Sequence, residues 1–593
     1  MLHKTQNRYT WWLLLPLLVY VVGAPMDLMD VDAAQYGAIS WEMLAHDLFL
    51  QITYKGNDYL DKPPLLFWTS ILSFKLFGVS NWTYRLIPIL VSLLGIYSIY
   101  RFALLYYTRQ VAYWAALIWA SSQACILMNH DIRTDTMLTA WVTFAIWQTA
   151  SYLRHPQWRS LTGMGIGLGL AMLAKGPIGL VAPALAIGFD LIWRKEWKQF
   201  FRPAWLYVMV IVAIILLPMS IGLYEQFDAH PEKGISGLRF YYWTQSFGRI
   251  TGENPWRNDA GLFFFVHSFF WSFLPWSLLA VAAYILELRR IWRYRFRKIK
   301  RQEFIAWGGF TLVFIALSLS KFKLPHYTFV VFPLMALITA KWIVVLARAT
   351  KHKKTVLGLQ YIQRFVESVL FTLLLVMLFW VFPLQSGWGW ASVAAGVALY
   401  GLSYRYASSS YEKILVPSLV AICIVNIFLN AHVYPSLLRY QAPSIVGRYI
   451  RKHNIENNTY ALLSFYHPSL EFYAQHIVPD LKDSIEVRVE AMNIQGAEAK
   501  RVAEEKVCAS FLQSFVKDKP KNLYLYVDEH YKKWLDKTGA TYEVVLELER
   551  FPVTELTLPF LNPSTRAQQV SKQYLLKIHK GGDIIEASGK QPQ

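Results

Sequence analysis

The chain is poor in cysteine, in charged residues and in acid. Three cysteines in 593 residues, Cys125, Cys423 and Cys508, make no disulfide framework, and the first two fall inside apolar segments. Charged residues are only 17% of the total against 55% hydrophobic and 16% aromatic, and mean hydropathy is positive. That balance excludes an ordinary soluble globular protein and is the profile of a polytopic membrane protein with a soluble part attached. The shortage of acid leaves a net charge of +20, which raises nucleic acid as a partner. Its distribution excludes that class: roughly the last 160 residues are nearly balanced, with 21 basic against 19 acidic. The excess lies in short loops between apolar segments, where it reads as an orientation signal.

What is present is a succession of apolar runs near 9–25, 83–105, 109–128, 134–153, 158–174, 176–194, 203–223, 261–286, 304–320, 325–346, 364–382, 387–406 and 412–431. The first follows Lys4 and Arg8 with no clean small-residue cleavage site after it, so a retained helix is expected rather than a signal peptide. The segment 64–78 is apolar but short and carries Lys75. If it lies along the interface, the basic loops at 101–109, 154–159, 194–202, 289–301 and 348–354 all become cytoplasmic, as the positive-inside rule requires. Counted as a span, it would put the run from Arg289 to Arg301 outside. The expectation is therefore about thirteen spans, N-terminus in and C-terminus out.

This orientation puts Lys62, Arg133, Lys175, Arg239, Arg249, Arg257, Lys321 and Lys323 on the outer side, where something anionic must compensate them. A matching set of carboxylates occurs there: Asp30, Asp32, Asp61, Asp131 and Asp135. Charges kept at the lip of a membrane are expensive and are functional candidates by default. Asp32, Tyr36, Ile39 and Met43 recur at helical spacing, so a helix beginning near Asp32 carries them on one stripe. The apolar part of that stripe would lie on the membrane, with Asp32 either pointing into a cavity or capping the helix. Lys62-Pro63-Pro64 pins a lysine at the start of the next helix, where free N–H groups and the helix dipole favour an anion such as a phosphate. A lysine snorkelling to the head-groups is the alternative. A Gly176-Pro177 break leaves Lys175 on an outer turn, and Ser320-Lys-Phe-Lys-Leu-Pro-His-Tyr327 makes another.

In order along the chain, Asp32-Ala-Ala-Gln-Tyr36, Glu42-Met-Leu44, Lys62-Pro-Pro-Leu65, Arg85 with Pro88, Arg133-Thr-Asp135, Leu173-Ala-Lys-Gly-Pro177 and Ser320-Lys-Phe-Lys-Leu-Pro325 resemble the aminoarabinose transferases that modify lipid A. More loosely, they resemble the protein O-mannosyltransferase superfamily. The resemblance runs from about residue 10 to 346. It implies a GT-C glycosyltransferase of the bacterial inner membrane, monomeric, with a periplasm-facing site and a polyprenyl-phosphate-linked sugar as donor. It further implies inversion at the sugar and an acceptor that is a lipid A-like glycolipid or, alternatively, a protein. By the same resemblance Asp32 is essential to transfer, Asp135 lines the same cavity, and Lys62 and Arg249 meet the donor phosphate; Asp32 and Asp135 are taken as the catalytic pair, and one of Lys321 and Lys323 is expected to join the cations at the phosphate. Asp30, Tyr36, Asp61, Arg85, Arg133, Lys175 and Tyr327 line or support the cavity.

Two departures from the family pattern stand out. Asp32-Ala33 replaces a frequent Asp-Glu, and Gln245-Ser246 replaces Glu-His. The family's metal can be held by that histidine and by the acid before the lysine, here Asp61, so a divalent metal is left open, with His230, His267 and His326 as substitute ligands. His267 sits in an apolar run and reads more readily as a core histidine. The chemistry stands beside the resemblance: breaking a glycosyl–phosphate bond requires cations for the leaving phosphate and a group to orient or deprotonate the acceptor. Asp32 is that group if the acceptor is a hydroxyl; if it is a phosphate, Asp32 positions it or stabilises positive charge on the sugar. Two rivals stand beside it: a polytopic transporter, whose charges should lie near the bilayer midplane on broken helices, and a membrane-anchored binding protein, which would need neither carboxylates paired with cations at the lip nor so many spans.

Past residue 432 the composition changes. Residues 1–432 are expected to form the membrane domain, with an outer loop and juxtamembrane helices at 26–82, and 433–593 a soluble α/β domain on the outer side. Helices are expected at 444–453, 469–475 and 497–516, and strands at 459–465, 522–527, 542–548 and 573–578. That domain has no glycine-rich phosphate loop and no catalytic constellation.

Overall fold

The computed structural model describes residues 11–245, 248, 253, 258, 260–293, 303–348, 352–492, 497–518 and 522–579. The chain is a polytopic helical membrane protein that divides into two compact units. One comprises Met1–Met26 and Met43–Tyr434, the other Asp27–Glu42 and Pro435–Gln593.

In the first unit every one of the apolar runs is helical, because an apolar chain must satisfy its own backbone within each segment. The helices include Leu14–Gly23, Asn81–Tyr106, Thr134–Arg154, Trp158–Lys175, Ile178–Trp193, Ala204–Leu223, Ile305–Ser318, Phe332–Arg348, Lys353–Val376, Gly387–Tyr406 and Glu412–Phe428. Two runs are broken, as Arg109–Ala120 with Gln123–His130 and as Phe264–Ser272 with Ser277–Arg293. Among the described residues, by length and apolarity alone five helical stretches suffice to cross a membrane, six if the first broken pair, bent by 51°, is one crossing. The others are shorter or more polar than the sequence count assumed. Thr134–Arg154, for example, carries Thr143 and Thr149, whose hydroxyls bond back to Thr139 and Ala145 carbonyls at 2.7 Å.

Small residues and caps decide how these helices meet. Trp158–Lys175 ends at Gly176, whose φ of 85° lies in the left-handed region. Ile178–Trp193 then starts so close that a Cβ built on Gly179 would stand 2.4 Å from the Ala171 carbonyl carbon. Segment 64–78 forms helix Leu65–Phe77, stopped by Gly78 at φ 78°. Helix Asn81–Tyr106 follows at once from a capping box between Ser80 and Thr83.

The second unit holds a four-stranded mixed sheet in the order β3-β4-β6-β5, with β3 Thr459–Leu462, β4 Leu523–Asp528, β5 Thr541–Arg550 and β6 Ser571–His579. Strands β3 and β4 are parallel, and β6 is antiparallel to both its neighbours. A two-stranded hairpin, β1 Thr53–Tyr54 and β2 Asn57–Asp58, belongs to the first unit. Helices Leu481–Glu490 and Glu529–Lys537 cover one sheet face around Leu512, Leu525 and Trp534. Helices Ala442–His453 and Ser469–Ala474 cover the other around Val446, Leu470 and Tyr526.

Candidate functional site

In the first unit the sequence motifs converge on one ion pair. Asp135 lies in the first turn of Thr134–Arg154 and Lys175 in the last turn of Trp158–Lys175, so each charge complements its own helix dipole. The Lys175 ammonium donates to Asp135 Oδ1 at 2.6 Å and Oδ2 at 2.7 Å, and stands 4.2 Å from the centre of the Tyr327 ring. Asp135 is only 3% exposed. His326, weighed in the sequence only as a metal ligand, brings Nε2 to 3.7 Å from Asp135 Oδ2. It comes from the 3-10 turn Pro325–Val331, which also presents Tyr327. The Pro325 start of that turn is the one local signal that would have pointed to it.

Lys62 sits two residues ahead of Pro64, the N-cap of helix Leu65–Phe77, and forms an ion pair with Asp61. Its side chain is 17% exposed. The Asp61 carbonyl accepts a hydrogen bond from the Gln245 side-chain amide. Thus the residue standing where the family has glutamate braces the Asp61 loop. The loop is held at its other end by Gln226, which donates to the Ile52 carbonyl at 2.8 Å and to Asp58 at 2.9 Å. Sequence reasoning passed over Gln226, because a glutamine at the end of an apolar run carries no signal of its own.

The remaining candidates separate into scaffold and exposed groups. Lys323 is 7% exposed and gives its ammonium to the Ala260 carbonyl at 2.8 Å, while its backbone is bracketed by Asn258. Lys321 is exposed. Arg85 is fully buried and donates to the backbone carbonyls of His130 at 2.8 Å, Ala24 at 3.0 Å and Met26, tying three segments together. Arg133 pairs with Asp131 at 2.8 Å. Arg249 and Arg257 lie outside the described residues.

The helix expected near Asp32 is Asp32–Ala45, of which residues up to Glu42 belong to the second unit. Its stripe of Tyr36, Ile39 and Met43 is 2%, 0% and 0% exposed. The expectation that these side chains lie on the membrane is therefore corrected: they are covered by protein. Asp32 itself is half-buried. Asp30 accepts from the Ser469 N–H at 2.9 Å and the Ser469 hydroxyl at 2.8 Å, and burial lifts its carboxyl to about 7 despite those bonds and the nearby Arg550.

No group of three or more His, Cys, Asp or Glu side chains able to hold a metal ion occurs among the described residues. Asp61, a possible ligand, is engaged with Lys62, and Ser246, which stands where the family has the histidine, lies outside the described residues. No step is assigned to a metal.

Residues 61–221 match the family model of dolichyl-phosphate-mannose-protein mannosyltransferases. Over its whole length the chain also superimposes on ArnT from Cupriavidus metallidurans bound to undecaprenyl phosphate, with a TM-score of 0.70 at 17% identity, covering 99% of both chains. The fold is that of ArnT.

Among curated relatives, the undecaprenyl phosphate-alpha-4-amino-4-deoxy-L-arabinose arabinosyl transferase 2 of Proteus mirabilis is 25% identical over 390 residues, 63% of this chain and 66% of that protein. The corresponding transferase of Erwinia tasmaniensis is 26% identical over 347 residues, 56% of this chain and 59% of that protein. The match thus spans between half and two thirds of these relatives' length. The chain is thus similar in sequence to these transferases over part of its length and shares the ArnT fold.

Proposed function

We propose that the chain transfers a sugar from a polyprenyl-phosphate donor to an acceptor on the outer face of a bacterial inner membrane, with inversion at the sugar. A lipid A-like glycolipid is the favoured acceptor. One observation carries this reading: end-to-end likeness to ArnT, whose structure holds undecaprenyl phosphate, joined to a lysine at the entrance of helix Leu65–Phe77. Thirteen crossings, with 64–78 lying along the interface and the second unit outside, complete the topology.

In this mechanism the bond between the sugar's anomeric carbon and the phosphate oxygen breaks as a bond to the acceptor oxygen forms. Charge grows on the leaving polyprenyl phosphate. Lys62, Lys321 and Arg249 neutralise it, and the Lys62 ammonium acts next to the N–H groups of a helix start, an arrangement suited to phosphate. Lys323 is left to the scaffold because its ammonium already serves Ala260. Asp32 takes the proton of an acceptor hydroxyl, or positions an acceptor phosphate, which has no proton to lose. Asp135, locked to Lys175, supports the cavity and exchanges no proton in this scheme.

The purified protein in lipid nanodiscs, given undecaprenyl-phosphate-linked aminoarabinose and lipid A, tests the reading by mass spectrometry of the products. Asp32→Asn should lose transfer and keep donor binding; Lys62→Gln should weaken donor binding. Full transfer by Asp32→Asn would overturn the assignment. A second reading, transfer to protein hydroxyls, is favoured by the mannosyltransferase family match over 61–221. Intact-mass comparison of glycolipids and glycoproteins from wild-type and deletion cells separates the two.

A further inference from the structure

We propose that the C-terminal domain sets the position of Asp32, and that Gln441 and Asp30 are the positioning residues through which it acts. The proposal rests on the reading of Asp32 given above.

The observation behind it is where residues 27–42 belong. They fold with Pro435–Gln593 and not with the helices that precede and follow them in the chain. The attachment runs through Asp27, Leu28 and Asp30, just ahead of helix Asp32–Ala45. Gln441, 3% exposed, treats this segment as a strand partner would: its amide donates to the Leu28 carbonyl at 2.8 Å, and its carbonyl accepts the Asp30 N–H at 2.9 Å. The Leu28 N–H goes to the Tyr473 hydroxyl at 2.8 Å. Asp27 accepts two bonds from Arg448 at 2.9 Å, with the guanidinium 4.7 Å from the Tyr473 ring. The Asp30 carboxylate bridges the N–H and hydroxyl of Ser469, at the start of Ser469–Ala474. Behind the segment, a Cβ added to Gly37 would stand 2.8 Å from Leu28 and 3.0 Å from the Phe472 ring, so helix and domain are packed without slack.

A domain that only covered a cavity would have no need to commit a buried amide to the backbone of a loop, or to engage that loop's own half-buried carboxylate, since each costs desolvation unless matched. Here every such group is matched to the residues just ahead of Asp32. Asp32 follows Asp30 by two residues, so the register of the clamp becomes the position of the catalytic carboxylate. Misplacing a reacting group by about 1 Å costs on the order of 100-fold in rate.

The test compares Gln441→Ala, Asp30→Ala and Asp30→Asn with wild type and with Asp32→Asn, in nanodiscs, with kcat, donor KM and thermal midpoint measured for each. Lys572→Ala, at an exposed ion pair of the same domain, is the control. Gln441→Ala and Asp30→Ala should lower kcat by about 10- to 100-fold with donor KM little changed, a larger loss than their lowered midpoints account for. Asp30→Asn keeps an acceptor for the Ser469 N–H and should recover most of the rate. If Asp32→Asn is inactive while the clamp variants keep wild-type kcat, the clamp is refuted and the function stands. Loss of kcat only in proportion to a lowered midpoint, without recovery in Asp30→Asn, also refutes it. An active Asp32→Asn overturns the function and this proposal together. If Gln441→Ala fails to fold, the Asp30→Ala and Asp30→Asn pair decides alone.

Discussion

Replacing Lys175 by methionine keeps most of the side-chain stem and removes the ammonium that Asp135 accepts at 2.6 and 2.7 Å. Removing one partner of a buried pair costs about 3–5 kcal/mol, because the other charge is stranded. Three local features adjust that figure. The helix N-terminus favours the Asp135 carboxylate by about 0.3–1 kcal/mol and reduces the loss. His326, 3.7 Å away, supplies a second counter-cation when protonated. Against these, the contact with the face of Tyr327 disappears, about 1 kcal/mol. The net expectation for Lys175→Met is a loss of about 3 kcal/mol. Asp135→Asn alone should cost less, since the lysine keeps Tyr327 and its side chain is 16% exposed. The double variant should return to within about 1 kcal/mol of wild type, because a neutral pair of similar shape strands no charge. The protein supplies its own reporter: Cys125, Cys423 and Cys508 are all free and buried, so a fluorogenic thiol reagent detects unfolding in detergent. A loss under about 0.5 kcal/mol for Lys175→Met, or a double variant losing the full sum of the singles, would refute the reasoning.

Two further outcomes follow from the same geometry. Asp30 is raised from 3.8 to about 7 by burial, so the folded chain holds a proton that the unfolded chain has lost between those values. The stability it contributes is fully present below about 4 and is lost as pH rises through about 7; the difference between wild type and Asp30→Asn should therefore change across that window, and a flat difference from about pH 4 to 8 would contradict it. Gly179→Ala sets a Cβ 2.4 Å from the Ala171 carbonyl carbon and 2.5 Å from the Met172 nitrogen, both backbone, and should cost about 1–3 kcal/mol in the thiol-reporter melt. Gly188→Ala, whose Cβ meets nothing within 4 Å, should be neutral, and equal melts for the two would count against the packing argument.

Local patterns were legible wherever the chain obeys a local rule. The helix from Asp32, the stop at Gly176 and the Pro64 cap ahead of Leu65–Phe77 come from spacing, glycine and proline, which act within a few residues. The strands of the C-terminal sheet emerged within a few residues of their observed ends for the same reason; Thr541–Arg550 runs longer than its 542–548 expectation because pairing with β6 extends it at both ends. Helices Leu481–Glu490 and Glu529–Lys537 went unread, since each is short and its charged outer face masks the few side chains it buries, such as Ile485 and Leu535.

The amino-acid sequence by itself determined the class of the protein: its apolar runs, the sign of its loops and the ordered motifs around Asp32, Lys62, Asp135 and Lys175 depend on composition and spacing alone. Which charges serve one another was decided only in three dimensions. Lys323 goes to a carbonyl and Lys175 to Asp135, though the sequence offers both as similar lysines on outer turns. Residues 27–42 join a domain roughly 400 positions away. The physical reason is common to all of these: a buried polar group must find a partner wherever the fold brings one within hydrogen-bond reach, and that distance is not written in the spacing of residues along the chain.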